Sequence, residues 1–210
     1  MKLYRDDILN LDRFYRINLI NSITGIKPAN LVGTKNNISE NLAIFSSLVH
    51  IGSTPPLLGL IARPQNKINT DTFLNIKKSR YYTINSISSD IYKEAHLTSA
   101  KTNKSEFNSF NIESQYIDSF YAPFVMKSAI KIGLKLESIL MLPNKCEFII
   151  GSIKLIDING SLINSEGKVN FQKEGILGIS GIDGYYKLEH LNSLPYVGSN
   201  YKVIKTIEDL

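Results

Sequence analysis

The chain has 210 residues, 43% hydrophobic and 20% charged, which suits one globular domain with short tails and excludes wholesale disorder. The lone cysteine, Cys146, excludes an internal disulfide and a cysteine-based zinc site, and a single thiol suits a reducing cytoplasm. The net charge of +5 comes from lysines scattered singly rather than clustered, which argues against a nucleic-acid partner and leaves basic groups for an anionic cofactor.

The opening Met1-Lys2-Leu3-Tyr4-Arg5-Asp6-Asp7 is too polar for a signal peptide, and no run approaches the roughly 20 apolar residues of a membrane helix. The expectation is a cytoplasmic protein with no membrane partner. The first thirty residues mix polar and apolar positions and read as a short helical or extended lead-in, with Pro28 breaking any helix. Residues 29–34 read as a strand, Asn36-Asn37 as a turn, and 41–51 as one extended run that Pro55-Pro56 stops. The continuous apolarity of 57–62 reads as a buried strand.

Thr70 or Asp71 then caps a helix of two to three turns, with Phe73, Leu74 and Ile76 apolar and Lys77-Lys78 at its C-terminal end. Residues 81–87 are rich in β-formers. A second short helix spans 90–97, and 101–112 reads as a loop. Residues 130–139 and 146–158 read as a hairpin turning at 141–145. Residues 176–182 read as a glycine-bent strand, Gly184-Tyr185-Tyr186 as a loop, and 188–194 as a short helix before Pro195. Strands and helices do not alternate, so the pattern fits a mainly β barrel with a few inserted helices rather than a doubly wound sheet.

No nucleophile elbow, H-E-x-x-H, P-loop or G-x-G-x-x-G is present, and none of the three histidines (His50, His96, His190) stands in a triad or metal pattern. No catalytic side chain is therefore nominated. Ser46 and Ser47 sit in the middle of the 41–51 run, where neighbours point to opposite faces, so one hydroxyl is directed inward.

The pattern Pro-Ala-Asn-Leu-Val-Gly-Thr at 28–34, then Asn41-Leu42-Ala43-Ile44-Phe45-Ser46-Ser47, then Gly52-Ser53-Thr54-Pro55-Pro56-Leu57-Leu58, resembles the flavin reductase-like family of FMN-binding split barrels, including the flavoredoxin type. Thr72-x-x-Asn75-Ile76, Tyr82-x-Ile84-Asn85, Glu94-Ala95-His96-Leu97-Thr98-Ser99-Ala100, Ile150-Gly151-Ser152-Ile153 and Gly181-x-x-x-Tyr185 continue the resemblance in order over about residues 16–196.

That resemblance implies a split β-barrel, a homodimer, one FMN per subunit near the subunit interface, and NAD(P)H as reductant. It implies a phosphate held by Ser46, Ser47 and Arg63, or by Ser99 and Lys101 after the second helix. Asn41, Ala43 and Phe45 would run beside the flavin ring, mostly through backbone, with Asn85, His96 and Tyr185 as further contacts. Each has a plainer alternative: a strand-end charge for Arg63, core packing for Phe45 and Tyr185, a turn cap for Asn85, a satisfied helix histidine for His96. An NAD(P)H-dependent flavin reductase and an FMN electron carrier of flavoredoxin type both remain open, with a basic nucleic-acid-binding barrel as a remote third.

Overall fold

The computed structural model describes residues 1–64 and 70–194; the tail from Pro195 onward, including the end of the expected core, lies outside the described residues. The chain opens with two helices, α1 (Arg5–Asn10) and α2 (Arg13–Ser22). Asp12 caps the second by accepting from the Phe14 and Tyr15 N–H groups. Strands β1 (Lys27–Pro28), β2 (Asn30–Lys35), β3 (Glu40–Phe45), β4 (Val49–Ser53) and β5 (Pro56–Ala62) follow, then α3 (Asp71–Ser79) and β6 (Tyr81–Ser86). Next come α4 (Tyr92–Leu97), α5 (Glu106–Ser109), β7 (Ser114–Gln115), β8 (Phe124–Val125), β9 (Ile130–Met141), β10 (Glu147–Ile158), β11 (Leu177–Ser180) and β12 (Gly184–Lys187).

Four expectations are corrected. The extended run at 41–51 is two strands, because the chain bends at Ser46 and leaves the ladder until Val49; both serines sit in that break and not mid-strand. The stretch 101–112 holds a helical turn, α5, whose Phe107 is buried and anchors it. Residues 188–194 form no helix, and Leu191 and Leu194 stay exposed, so no packed face supports one there. Gly184-Tyr185-Tyr186 is also strand rather than loop: Gly181, at φ +67°, turns β11 back into β12.

The main sheet has seven strands in the order β3-β2-β6-β9-β10-β5-β4, every neighbouring pair antiparallel. Its two edges, β3 and β4, are consecutive in sequence, so the sheet curls back on itself and the chain crosses the seam at residues 46–48. Val32, Leu60, Tyr82, Ile84, Leu134, Leu136 and Ile149 fill the interior, and α3 plugs one end with Phe73 and Ile76. Gly151 is required there, because a Cβ would collide with the Tyr82 phenol. A second cluster lies on the outer face of β2 and β3. Leu31, Leu42 and Ile44 pack there under Ile91, Ala95 and Phe107 of the helical segments and Ile179 and Tyr185 of the β1-β11-β12 sheet.

Candidate functional site

The seam is where the ladder fails and side chains take over. β4 pairs with β5 only as far as Gly59, so the outward edge of Ile61 has no strand beside it. Ser47 fills that place: its hydroxyl donates to the Ile61 carbonyl at 2.9 Å and accepts the Ile61 N–H at 3.1 Å. Its one proton is thereby used, and Ser47 closes the barrel as a surrogate strand residue. Ser46, half-buried in the same bend, makes no side-chain hydrogen bond among the described residues. Arg63 stands exposed just past the end of β5, two residues beyond Ile61 on the same edge.

β3 is the other lip. Its Leu42 N–H turns away from β2 and is accepted by the Glu106 carboxylate at 3.0 Å. Strand alternation turns the Ile44 N–H to the same open side. Ala43 and Phe45 point the other way, and Phe45 packs against the interior cluster. Asn41 shares that face but is committed: its amide donates to Thr34 at 3.2 Å and to Thr72 at 2.9 Å, while Asn75 donates to Thr34 at 3.2 Å. This buried quartet ties α3 to β2 and β3. Asn85 is likewise consumed, donating to the Leu31 carbonyl and the Thr83 hydroxyl and accepting the Val125 N–H at 3.0 Å. It secures β8 against the sheet.

Helix α4 lies on the outer side of β3, where Ala95 and Tyr92 share a cluster with Ile44 and Tyr185. His96 Nδ1 and the Tyr185 hydroxyl meet at 3.1 Å, and Tyr92 lies edge-on to Tyr185 at 5.3 Å between centroids. Burial, aided by the Asp183 charge, pushes the Tyr185 phenol up to about 12. Ser99 and Lys101 follow α4 and are exposed.

Two buried polar atoms lack a partner among the described residues: Asn30 Nδ2 and Ser105 Oγ. Asn30 is 6% exposed and pairs with Phe45, beside the Ser46 bend. Ser105 precedes Glu106, which holds the β3 edge. Neither had been singled out by sequence reasoning. Asn30 falls inside a motif quoted above, whereas Ser105 lies in the stretch read as loop. A groove of about 520 Å³ lies between the β2–β3 turn and α3, lined by Asn36, Ile38, Asp71, Lys77 and neighbours, and none of the nominated residues borders it.

The flavin reductase like domain profile matches residues 26–173. The chain belongs to the flavin reductase-like family. A split-barrel protein from Shewanella frigidimarina NCIMB 400, assigned as a flavin reductase, is 37% identical, with a TM-score of 0.89 over 94% of this chain and 100% of that one. Nitrilotriacetate monooxygenase component B from Bacillus cereus superposes at 0.81, with 16% identity over 92% of this chain and 98% of that one. Flavoredoxin of Desulfovibrio vulgaris (Miyazaki F) superposes at 0.70, with 20% identity over 81% and 91%. The last two share the fold alone. No curated protein sequence matches the chain. The architecture is thus the family's split β-barrel, and no helix among the described residues is long and apolar enough to cross a membrane.

The residues at the seam fit a flavin. An orphaned amide donor (Asn30), an uncommitted hydroxyl (Ser46), an outward N–H (Ile44) and a buried unpartnered hydroxyl (Ser105) offer donors to a ring with polar edges and a hydroxylated chain. Lys101 and Arg63 are the exposed lysine and arginine side chains among the nominated residues.

Proposed function

We propose that the protein is an NAD(P)H-dependent FMN reductase acting in the cytoplasm as a homodimer. The observation that carries the reading is a pair of unmatched buried donors, Asn30 Nδ2 on β2 opposite the end of β3 and Ser105 Oγ next to the Glu106 that binds the β3 edge, in a chain of flavin reductase-like family. Buried polar atoms are nearly always paired, so two such orphans argue for a bound group that brings acceptors. When bound, FMN supplies the redox chemistry, taking up hydride from the nicotinamide and passing electrons to an acceptor.

The chain's own residues hold and orient. Asn30 Nδ2 and the Ile44 N–H would supply hydrogen-bond donors to the polar atoms of the ring. Ser46 and Ser105 serve the ribityl chain or phosphate, while Lys101 and Arg63 neutralise the phosphate charge. Ser47 supports the site by holding the seam closed. No side chain is asked to move a proton for hydride transfer. The nominated residues lie along an open lip rather than in a described cavity, and a second copy of the chain laid against the lip would exclude water from it.

The test is spectroscopic. Purified protein should carry or take up FMN with yellow absorbance, and anaerobic NADH or NADPH should bleach it within minutes. Flavin that binds but stays oxidised with both nicotinamides would replace the reductase reading by an FMN electron carrier.

A further inference from the structure

The two N-terminal helices leave their apolar residues bare. Neither α1 nor α2 buries a residue, and Leu9, Phe14, Tyr15, Ile20 and Ile23 all stand exposed. Helices of 6 and 10 residues draw their stability from packing rather than from propensity, so a pair with no packed face lacks a surface to lie on. The pair is nevertheless one built unit. The Arg16 guanidinium donates to the Leu9 and Leu11 carbonyls and so ties α1 to α2. Lys27 Nζ donates to the Asn21 carbonyl at 2.6 Å, and Ile26 packs on Gly178 of β11, where a Cβ would collide with it. The arm thus springs from the β1-β11-β12 sheet, on the β3 side of the seam. It lies ahead of residue 26, where the family profile begins.

The β5 side of the seam carries a second bare surface. Leu60 and Ile149 belong to the barrel interior, so their neighbours Ile61 and Phe148 point outward. Phe148 pairs with Ile61 on one side and Leu140 on the other, and the next row of that face is Val49, Gly59 and Ile150. Val49, Ile61 and Leu140 are exposed, with Phe148 and Ile150 half-buried. The outer face of β2 and β3 is covered by α4, α5 and the small sheet, whereas this one is open. A contiguous open apolar face marks an interaction site.

One partner satisfies both surfaces. In a single copy the arm and the face stay bare together, on opposite sides of the seam. A two-fold axis that sets seam against seam carries each arm to the other copy's face, and both contacts form at once because an isologous interface repeats every contact. Residues 1–26 and the outer rows of β4, β5, β10 and β9 together reach the roughly 20–30 residues a side of a stable interface. A lipid surface is a poorer occupant. Asp6, Asp7 and Asp12 offset Arg5, Arg13 and Arg16 along the arm, and anionic headgroups select a basic polar face.

We propose that the α1–α2 arm of one copy docks on the outer apolar face of β4, β5, β10 and β9 of a second copy of this chain. The proposal names the contact behind the homodimer reading and rests on it; it takes nothing from the reductase reading.

The experiment uses the full-length protein. Light scattering of the parent should give twice 23.6 kDa. Phe14→Glu on the arm and Leu140→Lys on the face each put a charge into the contact. Both side chains are exposed within one copy, so the urea midpoint of each monomer should match the parent's at equal dissociation. Each variant alone should raise the dimer dissociation constant at least about tenfold. Mixed, the two should form a heterodimer in native mass spectrometry, because one of its arm-to-face contacts is unaltered and the other sets Glu against Lys. A variant that dimerises with the parent's affinity, or a mixture that fails to pair, overturns the proposal, since arm-on-arm or face-on-face contact predicts those results. Amide exchange over α1 and α2 of the parent should slow as concentration rises through the dissociation constant, and exchange that ignores concentration overturns it too. A monomeric parent overturns the proposal and removes the homodimer reading with it, whereas a dimer that pairs by other surfaces leaves that reading standing. A monomeric parent that sediments with phosphatidylserine vesicles would hand the arm to a lipid surface.

Discussion

Two regions of this barrel are built from the same short polar residues and end up with opposite character. At the plugged end, Thr34, Asn41, Thr72 and Asn75 form a buried network in which each Asn amide donates to a threonine hydroxyl. Beside the β3 edge, the buried atoms Asn30 Nδ2 and Ser105 Oγ hold donors that nothing among the described residues accepts, and Ser46 in the seam is uncommitted. The lesson is that an Asn, Ser or Thr in a family motif does not announce a ligand contact. A closed network is structural, and the residues left unsatisfied are those waiting for a partner.

Predictions follow from that contrast, and the largest concerns a closed position outside both regions. Asn85 is fully buried with three hydrogen bonds, so Asn85→Ala strands groups on Leu31, Thr83 and Val125. The expected loss is about 3 kcal/mol or more, read as a lower midpoint in urea unfolding, with no preferential effect on FMN over riboflavin. If Asn85→Ala instead folds with near-normal stability and loses flavin, the division drawn here fails.

Asn41→Ala should cost about 1–3 kcal/mol, because it opens the quartet and loosens α3 while removing no donor from the β3 lip. Its signature is a stability loss with the FMN dissociation constant within about threefold of the parent, a shift well under that of a lost charged hydrogen bond.

Ser46 and Ser47 sharpen the comparison, being adjacent and chemically identical. Ser47→Ala removes both hydrogen bonds to Ile61 and should lower stability by about 1–2 kcal/mol, weakening FMN and riboflavin equally through the seam. Ser46→Ala should leave stability within about 0.5 kcal/mol and weaken FMN more than riboflavin by about tenfold. Reversed phenotypes would mean that the phosphate draws Ser47 off Ile61 when it binds.

The smallest effect is ionic. Exposed Lys101 and Arg63 act on anions through solvent, so raising salt from 0.1 to 1 M, which cuts the Debye length from about 10 to about 3 Å, should raise the KM for the nicotinamide a few-fold and leave kcat nearly alone. A salt-independent KM would place nicotinamide recognition on uncharged contacts.

Much of the barrel was legible because its causes are local. Alternating β-formers gave β6, β9 and β10; an apolar run gave β5; a capping position, apolar spacing and terminal lysines gave α3. The break at residues 46–48 was not legible, because Phe45-Ser46-Ser47-Leu48 carries no glycine or proline to mark a turn. Only the stopping point of β4 beside β5 leaves Ile61 for Ser47 to satisfy. The helical turn at α5 was hidden for a similar reason, since Phe107, Phe110 and Ile112 are scattered apolar residues in a polar stretch until the outer cluster beside β3 gives them a surface to bury against.

By itself, then, the sequence determined the family, the mainly β architecture and part of the set of residues from which a flavin site could be drawn, since those follow from composition, periodicity and the order of motifs. The tertiary structure alone decided which of them are spent. Ser47, Asn41 and Asn85 are occupied by partners that include Ile61, Thr72 and Val125, 14, 31 and 40 residues away in the chain. The Asn30 Nδ2 and Ser105 Oγ atoms are buried with no partner among the described residues, and His96 meets the Tyr185 hydroxyl, 89 residues on. Hydrogen-bond satisfaction depends on groups that only folding brings within about 3 Å, and no spacing along the chain encodes it.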